Sequence, residues 1–186
     1  MKKEIIPSLL LTVVCIVFFS GVYPILMWGI AQVAPNNGEG FVIKDAKGKY
    51  YYENIGQKFS DDKFFWSRPS AVGYAANGSG GSNKGPDNPD YLVGVKAAID
   101  SFMLHNPGIN KADIPSDMVT SSGSGLDPHI SVEGAEIQVA RIAKVRGLDK
   151  SKVEALVKAH VDGPMLGMGP ERVNVLKLNI DLDAMK

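Results

Sequence analysis

The side chains best suited to catalysis lie together in residues 117–131, a segment rich in serine and glycine that we call the serine-glycine loop. It contains four candidate groups: Ser122, Ser124, Asp127 and His129. A serine activated by a histidine and an aspartate is the arrangement of many hydrolases. The nucleophile-elbow pattern G-x-S-x-G fails around Ser124, because neither outer position is a glycine. A membrane-anchored exported hydrolase therefore stays open only as an alternative, since a triad can also assemble from distant residues.

A second candidate is residues 77–86, which we call the glycine-rich loop. Its glycines and Lys84 suggest a phosphate-binding loop, but Asn83 stands where that motif needs its second glycine, and Gly85 replaces the metal-binding hydroxyl. The histidines occur singly, without the paired spacing of metal ligands. The sequence thus predicts an ordered, turn-rich loop and no metal site.

Two aromatic segments precede these loops. Apolar and aromatic residues at 40–43 and 50–52 flank the turn sequence Asp45-Ala-Lys-Gly48. This pattern predicts a β-hairpin with a positive φ at the glycine. Residues 64–66 are Phe-Phe-Trp, followed closely by Arg68. Trp66 and Arg68 have the side chains of a recognition surface, and they are equally compatible with a core position; both interpretations stay open.

Helix signals follow the glycine-rich loop. Asn88 and Pro89 predict the N-terminus of a helix that runs to about residue 104. A second helix is expected after Asp127-Pro128 or Ser131, with Gly147 as its end.

Two further elements are predicted near the C-terminus. Ser151-Lys-Val-Glu154 matches a capping box at the start of a short helix. Leucine and isoleucine then alternate with polar residues over 176–183, which predicts a strand with a β-bulge near Val175.

The N-terminal segment 5–31 has 27 residues without an acid or base, enough to cross a bilayer as a helix. Pro24 should kink it. Lys2 and Lys3 precede the segment, and no lysine or arginine follows before Phe41, so the positive-inside rule predicts a cytoplasmic N-terminus. A signal peptide cleaved after Ala31, which would release a free solute-binding protein, is the rival interpretation; we favour the anchor because the apolar run is too long for such a peptide.

The sequence predicts an α+β protein with one compact extracytoplasmic domain. We expect a cytoplasmic tip at 1–4, a single transmembrane helix at 5–33, a linker at 34–40 and the exported domain at 41–186. The formal net charge of the 186-residue chain is zero, which argues against nucleic-acid binding. Cys15 is its sole cysteine, so no disulfide within the chain is possible.

Five blocks in fixed order, spread over nearly the whole chain, resemble the C subunit (KdpC) family of the Kdp potassium-transporting ATPase. They are FFWSRPSA at 64–71, SGGSNKGP at 79–86, VTSSGSGLDPHIS at 119–131, QVAR at 138–141 and RVNVLKLN at 172–179.

The resemblance implies a complex in the inner (plasma) membrane of a bacterium or archaeon. In it, a channel-like A subunit binds K⁺, a B subunit hydrolyses ATP, and a small F subunit assists. The C subunit itself would be an accessory, non-catalytic subunit. The family has been described as a catalytic chaperone that raises the ATP affinity of the B subunit, with roles for Gln138 and residues 122–131.

The predicted topology conflicts with direct ATP contact, because ATP is cytoplasmic and the domain is expected outside. We therefore expect no directly bound cofactor and, for the domain, a place over the outer mouth of the channel-like subunit, acting by coupling through the membrane. The expected partner-binding or loop-organising residues are Trp66, Arg68, Asn83, Ser122, Ser124, Asp127, His129, Gln138 and Arg141.

Overall fold

A computed structural model describes residues 2–164, 167 and 169–185 of the chain. Residues 1 and 186, the outer ends of the predicted tip and domain, lie outside that description. The chain divides into two compact units, Met1–Phe41 and Val42–Lys186. The α+β class is confirmed, with one long apolar helix in the first unit and helices and short strands in the second.

The first unit is a helix with one irregular turn. Helix α1 spans Lys2–Val17, a π-helical turn spans Phe18–Val22, and helix α2 spans Tyr23–Ala31. The Tyr23 N–H bonds to the Phe18 carbonyl, five residues back. Pro24 has no N–H to offer the preceding turn, which explains why the α-helical bonding is interrupted just before it. Over Lys3–Ala31 the helix is long and apolar enough to cross a membrane.

The predicted hairpin is confirmed. Strands β1 (Val42–Lys44) and β2 (Tyr50–Tyr52) pair antiparallel. One carboxylate oxygen of Asp45 accepts the backbone N–H groups of Lys47 and Lys49, both at 2.9 Å. Gly48 has a φ of 83°, the left-handed conformation that the turn requires.

The predicted helix after the glycine-rich loop is also confirmed. Helix α3 spans Pro89–His105, and the Asn88 side chain caps it by accepting the Tyr91 N–H at 3.2 Å.

The expected helix between Ser131 and Gly147 is interrupted. Ser131 caps α4 (Val132–Glu136), and α5 (Val139–Arg146) ends at Gly147, whose φ is 65°. Between them, the Gln138 N–H bonds three residues back, to Ala135, so the chain tightens for one turn.

The capping-box prediction was wrong. Helix α6 spans Lys150–Ala159 and its cap residue is Asp149, so Ser151 lies inside the first turn. The Asp149 carbonyl accepts the N–H groups of Lys152 and Val153, so the helix starts two residues earlier than predicted.

The predicted C-terminal strand and its bulge were also wrong. The chain instead forms a short strand β5 (Arg172–Asn174) and a helix α7 (Val175–Ala184). The Asn174 side chain caps the helix by accepting the N–H groups of Leu176 and Lys177, both at 3.1 Å. The buried residues of α7 include Val175, Leu178, Asn179 and Leu182. Their spacing is that of one face of a helix, and the alternation of apolar and polar residues over 176–183 does not produce a strand.

Strand β5 is the centre of a small antiparallel sheet. It pairs with β3 (His129–Ile130) on one side and with β4 (Val161–Asp162) on the other. The domain core packs around this sheet. Its buried members include Phe65, Phe102, Met118, Ile130, Val139, Ile142, Val153, Val157, Val173, Leu178 and Leu182.

Candidate functional site

The glycine-rich loop and the serine-glycine loop are joined through their backbones. The Gly80 N–H and the Ser79 hydroxyl both donate to the Ser124 carbonyl, at 2.8 and 3.0 Å. A Cβ placed on Gly81 would lie 3.2 Å from the Gly123 carbonyl oxygen, so the two backbones are nearly in contact. The two loops therefore form one ordered surface, which we call the paired loops (residues 77–86 and 117–131).

Gly125 lies where the paired loops are closest. Its φ is +67°, and an added Cβ would lie 2.7 Å from both the Gly80 carbonyl oxygen and a methyl group of Val72. Its N–H donates to the Ser122 hydroxyl at 2.9 Å, and its carbonyl accepts the Ser70 hydroxyl at 2.6 Å. Both the backbone angle and the space exclude any side chain at this position.

Gly56 attaches the segment after the hairpin to the same loops. Its N–H donates to the Leu126 carbonyl at 2.7 Å, and a Cβ there would lie 2.6 Å from the Asp127 carbonyl oxygen. Sequence reasoning missed both Gly56 and Ser70. Nothing in their local sequence signals a contact with a loop some 55 to 70 positions away.

Arg68 and Asp127, both predicted site residues, form an ion pair beside the paired loops. The Arg68 Nη1 lies 3.0 Å from the Asp127 Oδ2, and the other carboxylate oxygen accepts the His129 N–H at 3.0 Å. Burial opposes the ionisation of Asp127, but hydrogen bonding by His129 and the charge of Arg68 outweigh it and keep the pKa of this carboxyl below its usual range. Asp127 thus remains charged and ties the serine-glycine loop to Arg68.

Tyr74 contacts the backbone of Arg68, one partner of this ion pair. Its hydroxyl donates to the Arg68 carbonyl, and its φ of 61° is unusual for a tyrosine. Burial raises the pKa of Tyr74 to about 12, so its hydroxyl stays protonated and available as a donor.

The two serines of the hydrolase alternative are used as backbone caps. The Ser122 hydroxyl accepts the Gly125 N–H, and the Ser124 hydroxyl accepts the Leu126 N–H at 3.1 Å. The His129 ring faces Asp127, with its Nδ1 3.5 Å from the carboxylate. These contacts order a loop, and they do not join either serine hydroxyl to the histidine as a nucleophile held by its base.

Gln138 and Arg141 form a second, separate cluster inside the domain. Gln138 is fully buried, and its Oε1 accepts both the Trp66 N–H and the Arg141 Nη2, each at 2.7 Å. Its Nε2 donates to the Gly134 carbonyl at 2.8 Å. All the strong hydrogen-bonding capacity of this amide is directed at the protein itself.

The Arg141 guanidinium is held by several further acceptors. It donates to the Asn106 side chain at 2.9 Å, to the Phe64 carbonyl at 3.0 Å and to the Asp62 carbonyl. Burial lowers its pKa to about 10, against the attraction of the carboxylates at Asp62 and Asp61. Arg141 therefore stays charged at neutral pH and fastens residues 62–66 to α5.

The aromatic segment belongs mainly to the core. Phe65 is buried, and its N–H and carbonyl both bond to the Asn179 side chain at 2.9 Å. The half-buried Trp66 ring lies 5.0 Å from the Arg141 guanidinium and 4.8 Å from the His105 ring. Sequence reasoning missed Asn179, because the strand prediction concealed its place on a buried helix face.

Asn83 lies apart from both clusters, on the exposed part of the glycine-rich loop with a φ of 53°. Beside it, a groove of about 440 Å³ separates that loop from α3. Lys84 and Ser82 line its loop side, and Tyr91 and Val95 line its helix side. This groove makes the paired loops the best candidate for contact with another protein.

Nucleotide contact is poorly supported by this geometry. Gln138 is buried, so no ligand reaches its side chain without opening the core. In the paired loops, the N–H groups of Gly80, Gly125 and Leu126 are directed at partners within the protein. A phosphate cradle needs such groups free and convergent.

Comparison with known proteins assigns the family. The family model described as "K+-transporting ATPase, c chain" matches residues 5–184. A potassium-transporting ATPase KdpC subunit of Flavobacterium psychrophilum is 52% identical over 184 residues, which cover 99% of this chain and all of the relative. KdpC subunits of Bacteroides fragilis strain YCH46 and Geobacter sulfurreducens are 47% and 44% identical over 189 residues, with 98% or more of each chain covered. This protein belongs to the KdpC family of potassium-transporting ATPase subunits.

Proposed function

We propose that this chain is a non-catalytic accessory subunit of an ATP-driven K⁺ import complex, needed for assembly and for coupling. Two relatives that match this chain over their full length are named as subunits of a potassium-transporting ATPase. The partners would be the channel-like A subunit, the ATP-hydrolysing B subunit and the small F subunit. The family match over residues 5–184 is the observation that carries the proposal, because it includes both the apolar helix and the domain.

The proposed location is the inner (plasma) membrane, with the domain outside the cytoplasm. The apolar helix Lys3–Ala31 supports a single membrane span. Lys2 and Lys3 at its N-terminal end, and the lack of basic residues between Gln32 and Phe41, favour a cytoplasmic N-terminus.

From that side, the domain would cap the outer mouth of the channel-like subunit. The paired loops, with the groove beside α3, are the surface that we propose for this contact. Arg68, Asp127, His129, Ser122 and Ser124 would act by holding the loops in shape, whereas Asn83 is exposed and available for direct contact.

Any effect on ATP affinity would then be indirect. ATP binds on the cytoplasmic side, so a domain outside can change its affinity only by favouring one conformation of the membrane subunits over another. Trp66, Gln138 and Arg141 would contribute by keeping the domain rigid enough to transmit that preference.

The test is to produce the partner subunits with and without this chain, to determine how much of the complex co-purifies in each case, and to measure ATP hydrolysis over a range of K⁺ concentrations. Without the chain, we expect K⁺-stimulated hydrolysis to fall by about tenfold or more, which corresponds to about 1.4 kcal/mol in the activation barrier. The isolated chain serves as the control and should hydrolyse neither ATP nor simple esters. Full K⁺-stimulated hydrolysis by a complex that lacks the chain would contradict the proposal.

A further inference from the structure

The β1–β2 hairpin has an outer face that the described residues of the domain leave exposed. In the strand register, Val42 lies opposite Tyr52. Two residues further along, Lys44 lies opposite Tyr50. Because side chains alternate along a strand, these four lie on the same face. Tyr50 is 67% and Tyr52 54% exposed, which is high for aromatic side chains in a folded domain.

The other face of the hairpin is turned towards the domain. Ile43 and Tyr51 are half-buried, and they line cavities whose far walls include Ile180 and Leu176 of α7. The Tyr51 hydroxyl also donates to Asp45 at 3.3 Å. The hairpin therefore has an inner face turned towards α7 and an outer face turned away from it.

The outer face combines aromatic rings with positive charge. The Lys44 ammonium lies 5.2 Å from the centre of the Tyr50 ring, and Lys47 adds a charge at the exposed turn; the Lys49 ammonium lies instead 4.8 Å from the ring of Tyr51, on the inner face. Over residues 42–52, three lysines stand against a single aspartate. Tyrosine rings favour the headgroup region of a bilayer, and lysines favour its phosphates.

The chain also limits how far the hairpin can move from a membrane. Strand β1 begins at Val42, eleven residues after the apolar helix ends at Ala31. Even a fully extended chain covers only about 3.5 Å per residue, so these residues span about 40 Å at most. If the helix is inserted, the hairpin stays within that distance of the bilayer surface.

We propose that this outer face, formed by Val42, Lys44, Tyr50 and Tyr52, docks on the phospholipid headgroup region of the membrane. The contact holds this face of the domain on the membrane surface. The inference rests on the membrane insertion of the apolar helix that forms part of the proposed function.

The test uses the full-length chain, with Cys15→Ala, in vesicles of phosphatidylethanolamine and phosphatidylglycerol. A nitroxide spin label is attached to Tyr50→Cys, to Val42→Cys or, as a control on the exposed surface of α6, to Lys152→Cys. The measurement compares collisions of each label with oxygen, which concentrates in lipid, and with a water-soluble nickel chelate. We expect the labels at 42 and 50 to lose contact with the chelate and the label at 152 to keep it.

Reversing the charge of the lysines provides a second test. Lys44→Glu combined with Lys47→Glu and Lys49→Glu should restore chelate contact at position 50. The effect should be larger with phosphatidylglycerol than in vesicles of phosphatidylcholine alone, because the attraction to anionic lipid is reversed.

Flotation of the vesicles separates failure of this inference from failure of the anchor. If the chain floats with the vesicles while the labels at 42 and 50 meet the chelate as freely as the label at 152, lipid docking is overturned and the anchor stands. If the chain does not float, the anchor itself fails, and the docking with it. Protection that develops only when the partner subunits are added would assign the face to a subunit contact and overturn docking on lipid.

Discussion

Arg141→Ala is expected to lower the free energy of unfolding by about 4 kcal/mol, because it removes the guanidinium donor from four buried or partly buried acceptors. These are the side chains of Asn106 and Gln138 and the carbonyls of Asp62 and Phe64. The substitution also removes the guanidinium that packs on the Trp66 ring. Such a loss is a large share of the stability of an ordinary domain, which is about 5–15 kcal/mol.

The measurement is chemical unfolding of the full-length protein in detergent, followed through tryptophan fluorescence. Trp66 contacts Arg141 and reports on the domain, whereas Trp28 lies in the apolar helix. Lys144→Ala is the matched control, since this residue is exposed on the same helix one turn later. A change below about 1 kcal/mol for Arg141→Ala, in the range of an ordinary surface substitution, would show that the cluster does not hold residues 62–66.

Gly125→Ala is expected to destabilise the domain by about 3 kcal/mol and to separate the paired loops. A left-handed conformation costs a non-glycine residue about 1–2 kcal/mol, and forcing a methyl group into a filled space costs about 1–3 kcal/mol more. The methyl group would meet the Gly80 carbonyl at 2.7 Å, so the glycine-rich loop would have to move away.

Gly123→Ala is the control for this variant, because a Cβ at Gly123 meets nothing within 4 Å. The two glycines lie in the same loop, so only the close approach and the φ angle distinguish them. Unfolding measurements should show the loss for Gly125→Ala alone. If the paired loops contact a partner subunit, the complex with Gly125→Ala should also lose K⁺-stimulated hydrolysis. Equal stability of the two variants would contradict the tight packing of the loops.

Local signals in the sequence predicted the elements that depend on local physics. Asn88 with Pro89 predicted the start of α3, and the turn at Asp45–Gly48 predicted the hairpin, because caps and tight turns are formed by neighbouring residues. The final helix shows the limit. Leucine or isoleucine at every second position from 176 to 182 led to the prediction of a strand. The sequence signal for a helix was Asn174, whose side chain accepts two N–H groups of the first turn.

The candidate site also contains features that the sequence predicted and features that it did not. The sequence predicted that the two loops would be ordered and that Arg68, Asp127 and Gln138 would bind a partner or organise the loops. It did not indicate the joining of the loops at Gly80 and Ser124, because those bonds connect backbone atoms, and a backbone carbonyl has no signature in a residue type. For the same reason, the carbonyl acceptors of Arg141, at Asp62 and Phe64, became visible only in the folded chain.

Under the proposed function, the domain acts from outside the membrane, by coupling. Cysteine labelling in the assembled complex tests this placement. In a Cys15→Ala background, Lys3→Cys and Lys152→Cys place single thiols in the N-terminal tip and on the exposed surface of α6. Spheroplasts are treated with a membrane-impermeant maleimide, before and after permeabilisation.

We expect labelling of the thiol at 152 in intact spheroplasts and labelling of the thiol at 3 only after permeabilisation. The reverse pattern would place the domain in the cytoplasm, where it could meet ATP, and would overturn the proposed topology.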